Sequence, residues 1–449
     1  MRANLSLILK LGAGFFADAY DLFVMDIVLA ILKQLAKEND AGIGLDSSDA
    51  AGWVSAATSI GAIIGMIVFG IVGDSFGRLS AILTTGSIVG VGSLAAAFCF
   101  RSESFSLISQ LIVIRFLLGI GIGGEYPLSA VMASESANQA VRGRIIAGVF
   151  SMQGVGMFFS AFIAYIMNLA GFPLEVTWRF LLAFGCLPAI VAVYLRFRMT
   201  ETSAYTTSAH RASGKSRMQR IRDMWEVIKL NKKSLIGTTS TWFLLDVTFY
   251  GTGQFKHSIY EALYSTEGQT QRQTIGNITL FALIISLVAI PGYLCSCAFI
   301  DAIGRYRLQV WGFAAMITCY LTMAALQLGN LPPQLNLAVF GLTFFFTNFG
   351  PNTTTFIIPS EIFPASISTT CHGISAALGK AGAVLGVYAF PSILPLVGVY
   401  GVMLICAGIA SLGLLCTLAF VPKDALTQKT EPGGIESGFA VHSGGFQKS

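Results

Sequence analysis

Twelve apolar stretches, each long enough to cross a lipid bilayer, follow one another along the 449 residues of this chain. A bilayer core of about 30 Å requires a helix of about 20 apolar residues. The chain is 54% hydrophobic and 11% charged, with a mean hydropathy of +0.71, whereas soluble globular chains carry about 25% charged residues. We therefore predict an all-α membrane protein with spans near residues 11–32, 50–73, 79–100, 106–133, 143–170, 176–197, 234–262, 275–300, 308–329, 335–359, 367–393 and 397–421.

Basic residues are concentrated on one side of the predicted spans. The segment from Arg196 to Lys233 holds ten Lys and Arg against three acids. Because cytoplasmic loops are enriched in Lys and Arg, we expect this side and both chain ends in the cytoplasm. The segment lacks a pattern of interleaved basic and aromatic residues, so nucleic acid is not an expected partner.

A weak internal repeat divides the chain into two halves. The segment Gly73–Arg78, after the second span, resembles Asp301–Arg305, after the eighth, at an offset of 227 residues. We predict an N-terminal six-helix half at 1–198, a basic cytoplasmic linker at 199–232, a C-terminal six-helix half at 233–421 and a disordered cytoplasmic tail at 422–449. Two six-span halves are typical of secondary transporters that rock around a site at the repeat interface.

Polar residues recur inside paired spans. The fourth span carries Glu125 and Tyr126, and the repeat overlays this segment on the one that holds Asn352 in the tenth. Gln153 in the fifth span corresponds to Lys380 in the eleventh. The first span carries Asp18 and Asp21 on one helical face. The seventh span carries Trp242, Asp246 and Tyr250, which also share a face. An acid at mid-membrane costs roughly 2.5–3.5 kcal/mol on insertion scales, so these acids are expected to face a polar cavity.

The inventory of this predicted cavity suits a small oxyanion. Carboxyls, one lysine, an indole N–H, phenols and amides supply many hydrogen-bond donors around a little positive charge. Carboxylates would repel an anion unless at least one is protonated, and removal from water favours the neutral form of a carboxyl group. We therefore expect coupling to protons. An ion pair with Arg115, ten residues earlier, is the alternative interpretation of Glu125.

Several segments resemble the phosphate:proton symporters of fungi and plants, which belong to the major facilitator superfamily. The Asp–Gly–Arg loops resemble the signature loop of that superfamily, and the resemblance covers nearly the whole chain. The other segments that carry it are Phe15–Phe23 (FFADAYDLF), Gly124–Ala130 (GEYPLSA), Pro359–Ala365 (PSEIFPA), Thr370–Ala377 (TCHGISAA) and Gly379–Ala383 (GKAGA).

The resemblance implies a twelve-helix major facilitator fold in the plasma membrane, with inorganic phosphate, protons and membrane lipids as partners. No cofactor, metal or obligate protein partner is expected. The implied phosphate contacts are Tyr126, Gln153, Trp242, Asp246, Tyr250 and Asn352, with Lys380 near the site. The implied proton-coupling residues are Asp18, Asp21, Glu125 and Asp246. The structural gating loops are expected to contain Asp74, Arg78, Glu135, Arg142, Arg144, Asp301, Arg305 and Glu361.

Two positions depart from the family pattern. Glu125 stands where the family usually has Asp, one methylene shorter. The family has arginines in the segment after Pro364, where this chain has Ser366-Ile367-Ser368. We therefore expect Glu135 to find a partner in Arg142 or Arg144 and Glu361 to lack a local one.

Two other functions remain open on the sequence. One is a sugar or organic-ion porter on the same fold, although such sites typically use neutral hydrogen-bonding groups where this chain has Asp246. The other is a phosphate-binding nutrient sensor, which long cytoplasmic extensions would favour. An enzyme is not expected, because the sequence offers no nucleophile–base pair or metal cluster. Proton-coupled phosphate import by alternating access is the function the sequence favours.

Overall fold

The computed structural model describes residues 2–38, 41–45, 50–211, 216–263, 268–329 and 333–423, and most of the predicted tail at 422–449 lies outside them. Its helices, in chain order, are α1 (Arg2–Glu38), α2 (Ala50–Phe76), α3 (Arg78–Ala97), α4 (Leu107–Ser136), α5 (Arg142–Leu169), α6 (Leu174–Phe184), α7 (Cys186–Arg196), α8 (Ser203–Arg211), α9 (Arg217–Leu230), α10 (Lys232–Leu263), α11 (Gln271–Ile303), α12 (Arg305–Leu328), α13 (Pro333–Asn348), α14 (Pro351–Ile362) and α15 (Ser368–Phe420). Helices α8 and α9 lie in the basic linker.

The helices account for the twelve predicted spans. Within the described ranges, nine helical spans are long and apolar enough to cross a membrane; α6 and α7 form one of them, and α15 contains two. The last two separate at Gly398, whose φ of 65° breaks the helix. The remaining three spans are α1, α10 and the α13–α14 pair, which is interrupted by non-helical backbone at Gly350. These three spans carry Asp18, Asp246 and Asn352, which the sequence assigns to the site.

The two Asp–Gly–Arg loops have the same local structure, as the repeat predicts. Gly77 and Gly304, 227 residues apart, have φ of 111° and 90°, a region that glycine adopts without steric cost. Each glycine precedes a helix that starts at an arginine, Arg78 in α3 and Arg305 in α12. The backbone of the two halves therefore has the same conformation at equivalent positions of the two loops.

Each loop also contacts the opposite half. The carboxylate of Asp74 accepts hydrogen bonds from the N–H groups of Thr369 (3.2 Å) and Thr370 (2.8 Å) at the start of α15. Asp301 accepts from Gly143 (3.1 Å) and Arg144 (2.9 Å) at the start of α5. A carboxylate at a helix N-terminus satisfies free N–H groups and complements the helix dipole. The two acids therefore tie the halves together at the end of the bundle that carries the linker, called the linker end below.

The arginines of these two loops, rather than those of α5, pair with the glutamates Glu135 and Glu361. Arg78 pairs with Glu135 at 2.8 Å, so the expectation that Arg142 or Arg144 holds Glu135 is wrong. Glu135 also accepts a hydrogen bond from Thr202, the residue before α8, at 2.6 Å.

Glu361 pairs with an arginine that is distant in sequence, although the sequence predicts only that it lacks a local partner. Arg305 donates to both of its carboxylate oxygens, at 2.8 and 2.7 Å. Local sequence misses this pair because the arginine and the glutamate are 56 residues apart. Both halves therefore carry the same buried Arg–Glu contact at the linker end.

Candidate functional site

The predicted face of α10 points into the centre of the bundle. Trp242 and Asp246 are buried, and the indole of Trp242 hydrogen-bonds the Asp246 carboxylate one turn further along the helix. The spacing of four residues places the two side chains on one face. Asp246 is thus held by a residue of its own helix.

Lys380, the only lysine predicted here, lies at the centre of the cluster. Its ammonium donates to the hydroxyl of Tyr250, and it lies 4.1 Å from the Tyr250 ring centroid and 5.3 Å from that of Tyr126. Both distances are within cation–π range. The two tyrosines hydrogen-bond each other, and Asp246 interacts electrostatically with the lysine. Residues from α4, α10 and α15 therefore surround one buried positive charge.

The predicted amides lie beside this charge cluster. Asn352 is buried at the start of α14 and donates to the Tyr293 hydroxyl at 3.2 Å and to Asn348 at 2.7 Å. Gln153 is buried on α5, and its Oε1 has no hydrogen-bond partner among the described residues. Tyr293 comes from α11 and packs close to Gly154, next to Gln153. The amides thus reach the site from both halves.

An aromatic layer separates this polar cluster from the linker end. The rings of Phe150 and Phe356 stack with centroids 4.6 Å apart, and Phe15 packs edge-on against both, at 5.7 and 4.9 Å. His372 also lies in this layer, its Nε2 at 2.9 Å from the carbonyl of Phe356. Phe15 and Phe150 belong to the N-terminal half and Phe356 to the C-terminal half. The layer therefore closes the site by contact between the halves.

Asp18 is the one predicted acid without a hydrogen-bond partner in the described part of the chain. It is buried on α1, and neither carboxylate oxygen has a partner. Its charged neighbours include Glu125, Arg196 and Lys380. Asp21, one turn on, accepts a hydrogen bond from Ser93 of α3 at 2.5 Å. The two acids of α1 thus occupy different environments although they share a face.

Glu125 forms a buried bidentate ion pair with Arg196, at the end of α7. Both Nη atoms of Arg196 lie 2.7 Å from a Glu125 oxygen. The guanidinium also donates to the carbonyls of Lys10 (3.2 Å), Leu11 (3.2 Å) and Ile82 (3.5 Å). Its five N–H donors therefore have five acceptors. The bidentate partner of Glu125 is thus Arg196, and an ion pair between Glu125 and Arg115 is wrong.

The carboxylate of Glu125 is as fully satisfied as the guanidinium. Besides Arg196 it accepts hydrogen bonds from Thr85 (3.0 Å) and Ser129 (3.4 Å). The pair joins α1, α3, α4 and α7 within the N-terminal half. Sequence analysis missed Arg196 because it counted this arginine with the basic linker, and no local spacing relates it to Glu125, 71 residues earlier.

Comparison with known proteins agrees with this architecture. The chain matches the sugar (and other) transporter family over residues 7–428. The chain belongs to this family of the major facilitator superfamily. It is 37% identical to inorganic phosphate transporter 1-1 of Arabidopsis thaliana, over 84% of this chain and 82% of the relative. It is 34% identical to inorganic phosphate transporter 1-1 of Oryza sativa subsp. japonica, over 91% and 89% of the two chains.

The fold is shared with a solved transporter of the superfamily. The proton:xylose symporter XylE superposes with a TM-score of 0.74 at 18% identity, covering 94% of this chain and 96% of that one. The predicted all-α fold and the prediction of a transporter rather than an enzyme are thus confirmed. As a member of this family, the chain is a multi-pass integral membrane protein.

The transporter requires a glycine where α1 passes the Glu125–Arg196 pair. A Cβ at Gly14 would lie 2.0 Å from an Arg196 Nη atom and 2.5 Å from a Glu125 oxygen. We expect Gly14→Ala to displace the ion pair and to lower thermal stability by about 1–3 kcal/mol, the cost of overpacking a core. Thermal unfolding of the purified protein measures this effect. Gly253→Ala is the control, because its Cβ would meet no atom within 4 Å; equal stability of the two variants would contradict the expectation.

The geometry brings most of the predicted site residues together. Tyr126, Trp242, Asp246, Tyr250 and Lys380 form one connected cluster, with Asn352 and Gln153 in the same buried core. Sequence analysis missed Tyr293 and the phenylalanine layer, since apolar and aromatic residues at these depths are indistinguishable from packing residues. A buried ammonium with phenol, indole and amide donors around it can hold an anion.

Proposed function

We propose that this protein imports inorganic phosphate, mainly as the monoanion, together with protons. The observation that carries the proposal is the buried ammonium of Lys380, held by Tyr250 and Tyr126 beside Asp246 and within a donor-rich core. Such charge-assisted donors favour an oxyanion over a neutral sugar. The relatives named as inorganic phosphate transporters support this substrate.

The proposed cycle uses the contacts between the halves. Phosphate and protons enter when the site faces away from the linker end, and the halves then rock around it. The Asp74 and Asp301 contacts and the phenylalanine layer separate on the linker side. The basic residues of the linker support a cytoplasmic location for this side, and the resemblance to phosphate:proton symporters supports the plasma membrane. Deprotonation then restores the negative charge of Asp246 beside the anion and aids its release.

Asp18 and Glu125 have different places in this cycle. An unpaired carboxylate in an apolar interior is costly, and proton uptake removes that cost. Asp18 meets this condition, whereas Glu125 has four donors around its carboxylate. We infer that Asp18 carries a transported proton and that Asp21 and Asp246 tune its release.

The test is uptake of labelled phosphate into proteoliposomes of the purified protein. We expect uptake with an inward proton gradient, collapse of uptake with a protonophore, competition by arsenate and no competition by glucose or xylose. A sodium gradient without a proton gradient is the control. Uptake driven by sodium alone would overturn the coupling, and competition by sugars without phosphate uptake would favour a sugar porter.

Lys380→Gln is expected to weaken phosphate binding about 10- to 100-fold. The substitution removes the charge from the donor cluster, and hydrogen bonds to charged groups contribute about 1.5–3 kcal/mol each, with tenfold per 1.4 kcal/mol. Equilibrium binding of labelled phosphate measures the change. Lys380→Arg, which keeps the charge, is the matched variant and is expected to bind more tightly than Lys380→Gln; equal binding by wild type and Lys380→Gln would remove the lysine from the site.

A further inference from the structure

A cavity with polar side chains along part of an otherwise apolar lining lies between the halves, on the side of Tyr250 away from the linker end. Its volume is about 60 Å³, and its polar lining consists of Asp26, Ser55, Thr58, Ser59, Arg115 and Tyr250. A water needs about 10–15 Å³ of such space, so the cavity has room for about four waters or for one tetrahedral oxyanion of five heavy atoms.

The guanidinium of Arg115 is buried in the wall of this cavity with most of its donors unused. Arg115 is 1% exposed, and one Nη atom donates to the backbone carbonyl of Asp21. Its Nε and other Nη atom have no hydrogen-bond partner among the described residues. Leaving a buried charged donor unsatisfied is costly.

Arg196, a buried arginine with a structural role, differs from Arg115 in how many of its N–H donors have acceptors. All five of its N–H donors have acceptors, two of them on the carboxylate of Glu125. Arg115 has no such bidentate partner; Asp21 and Asp26 act on it electrostatically. The contrast indicates that the free donors of Arg115 serve a ligand that comes and goes.

The hydroxyls opposite add donors that can turn towards that ligand. Thr58 and Ser59 of α2 both line the cavity. They donate to the backbone carbonyls of Val54 and Ser55 at 3.3 Å each, which are long contacts for O–H donors. Rotation about χ1 exchanges such a contact for one with an anion in the cavity. A guanidinium and serine or threonine hydroxyls are typical oxyanion ligands.

We propose that this cavity is an outer phosphate site, occupied before the anion moves to Lys380. The inference rests on the proposed function and deepens it. Tyr250 lines the cavity and accepts a hydrogen bond from Lys380, so its phenol lies between the two sites. An anion leaving Arg115 passes this hydroxyl on its way to the ammonium.

Asp26 gives the outer site a preference among oxyanions. A phosphate monoanion still carries O–H groups that can donate to a carboxylate, whereas sulfate at neutral pH can only accept. The Asp26 carboxylate in the lining therefore disfavours sulfate more than phosphate. The outer site would select the protonated anion before it meets the acids of α1.

The experiment is equilibrium binding of labelled inorganic phosphate to the full chain in nanodiscs, combined with uptake kinetics. We expect Lys380→Gln to retain weak phosphate binding that phosphate displaces better than sulfate, and Lys380→Gln/Arg115→Gln to lose it. Arg115→Gln alone should raise the KM for uptake about tenfold, with the maximal rate within about twofold, because an access site governs capture rather than the rocking step. Arg101→Gln, at a half-buried arginine that pairs with Glu175 at the same end of the bundle, is the control and should leave KM unchanged.

Two milder variants distinguish a weakened outer site from a protein that fails to fold. Arg115→Lys keeps the charge and should raise KM less than Arg115→Gln, and Ser59→Ala should raise it about threefold. An unchanged KM in a folded Arg115→Gln protein, or complete loss of binding in Lys380→Gln, would overturn the outer site while leaving phosphate transport intact. Failure of the wild type to bind or transport phosphate would instead overturn the proposed function.

Discussion

Asp18→Asn is expected to abolish proton-driven accumulation of phosphate while leaving phosphate exchange across the membrane intact. The amide has nearly the shape of the acid but cannot take up a proton. A phosphate monoanion that enters with two protons carries one net positive charge inward, which gains about 2.3 kcal/mol per 100 mV, or about a 50-fold accumulation ratio. We expect this ratio to fall to about one in the variant.

The measurement compares uphill uptake with counterflow in the same proteoliposomes. Counterflow should persist, because the buried carboxylate of Asp18 holds none of the donors around Lys380. Glu103→Gln, an exposed acid beyond α3, is the control and should keep gradient-driven uptake. Wild-type accumulation in Asp18→Asn would remove Asp18 from the proton path, and loss of both activities would assign it to binding.

The sequence predicted the architecture because the bilayer constrains it strongly. Spans must be about 20 residues long, and the loops after spans two and eight share the Gly77 and Gly304 turns that the repeat aligned. The ends were less accurate: the first span, predicted at 11–32, belongs to a helix from Arg2 to Glu38. Helices continue with polar residues past the apolar core of the membrane, so hydropathy underestimates the length of each helix.

The acids of the site were also predictable, but their partners were not. An acid inside an apolar span stands out in any sequence, as Asp18, Glu125 and Asp246 did. A partner such as Arg196 lies 71 residues from Glu125 and next to a basic linker, where its charge is unremarkable. Pairing of this kind depends on how α4 and α7 each pack against α1 and α3, and helix packing has no local signature.

The missed aromatic residues illustrate the same limit. Phe15, Phe150 and Phe356 come from three helices and form a layer where the two halves meet. Each alone is an ordinary apolar residue of a membrane span. Their role as a barrier on the linker side follows from their shared depth, which is a property of the packed bundle.

The Glu125–Arg196 pair leads to the second large expected effect. Glu125→Gln and Arg196→Gln are each expected to destabilise the transporter by about 3–5 kcal/mol, since each leaves one buried charge without its partner. Thermal unfolding and the monodisperse fraction of the purified protein measure the loss. Glu125→Asp keeps the charge and should cost much less.

The double variant Glu125→Gln/Arg196→Gln separates a structural role from proton carriage. It leaves no uncompensated charge, and its two amides can still hydrogen-bond, so we expect it to recover most of the stability that either single variant loses. If the pair only braces α1, α3, α4 and α7, the folded double variant should still accumulate phosphate with the wild-type dependence on pH. Loss of proton-driven accumulation with counterflow preserved would make Glu125 a proton carrier despite its four donors. Because Asp18→Asn is expected to give that same phenotype without loss of stability, stability measured beside uptake assigns each acid its role.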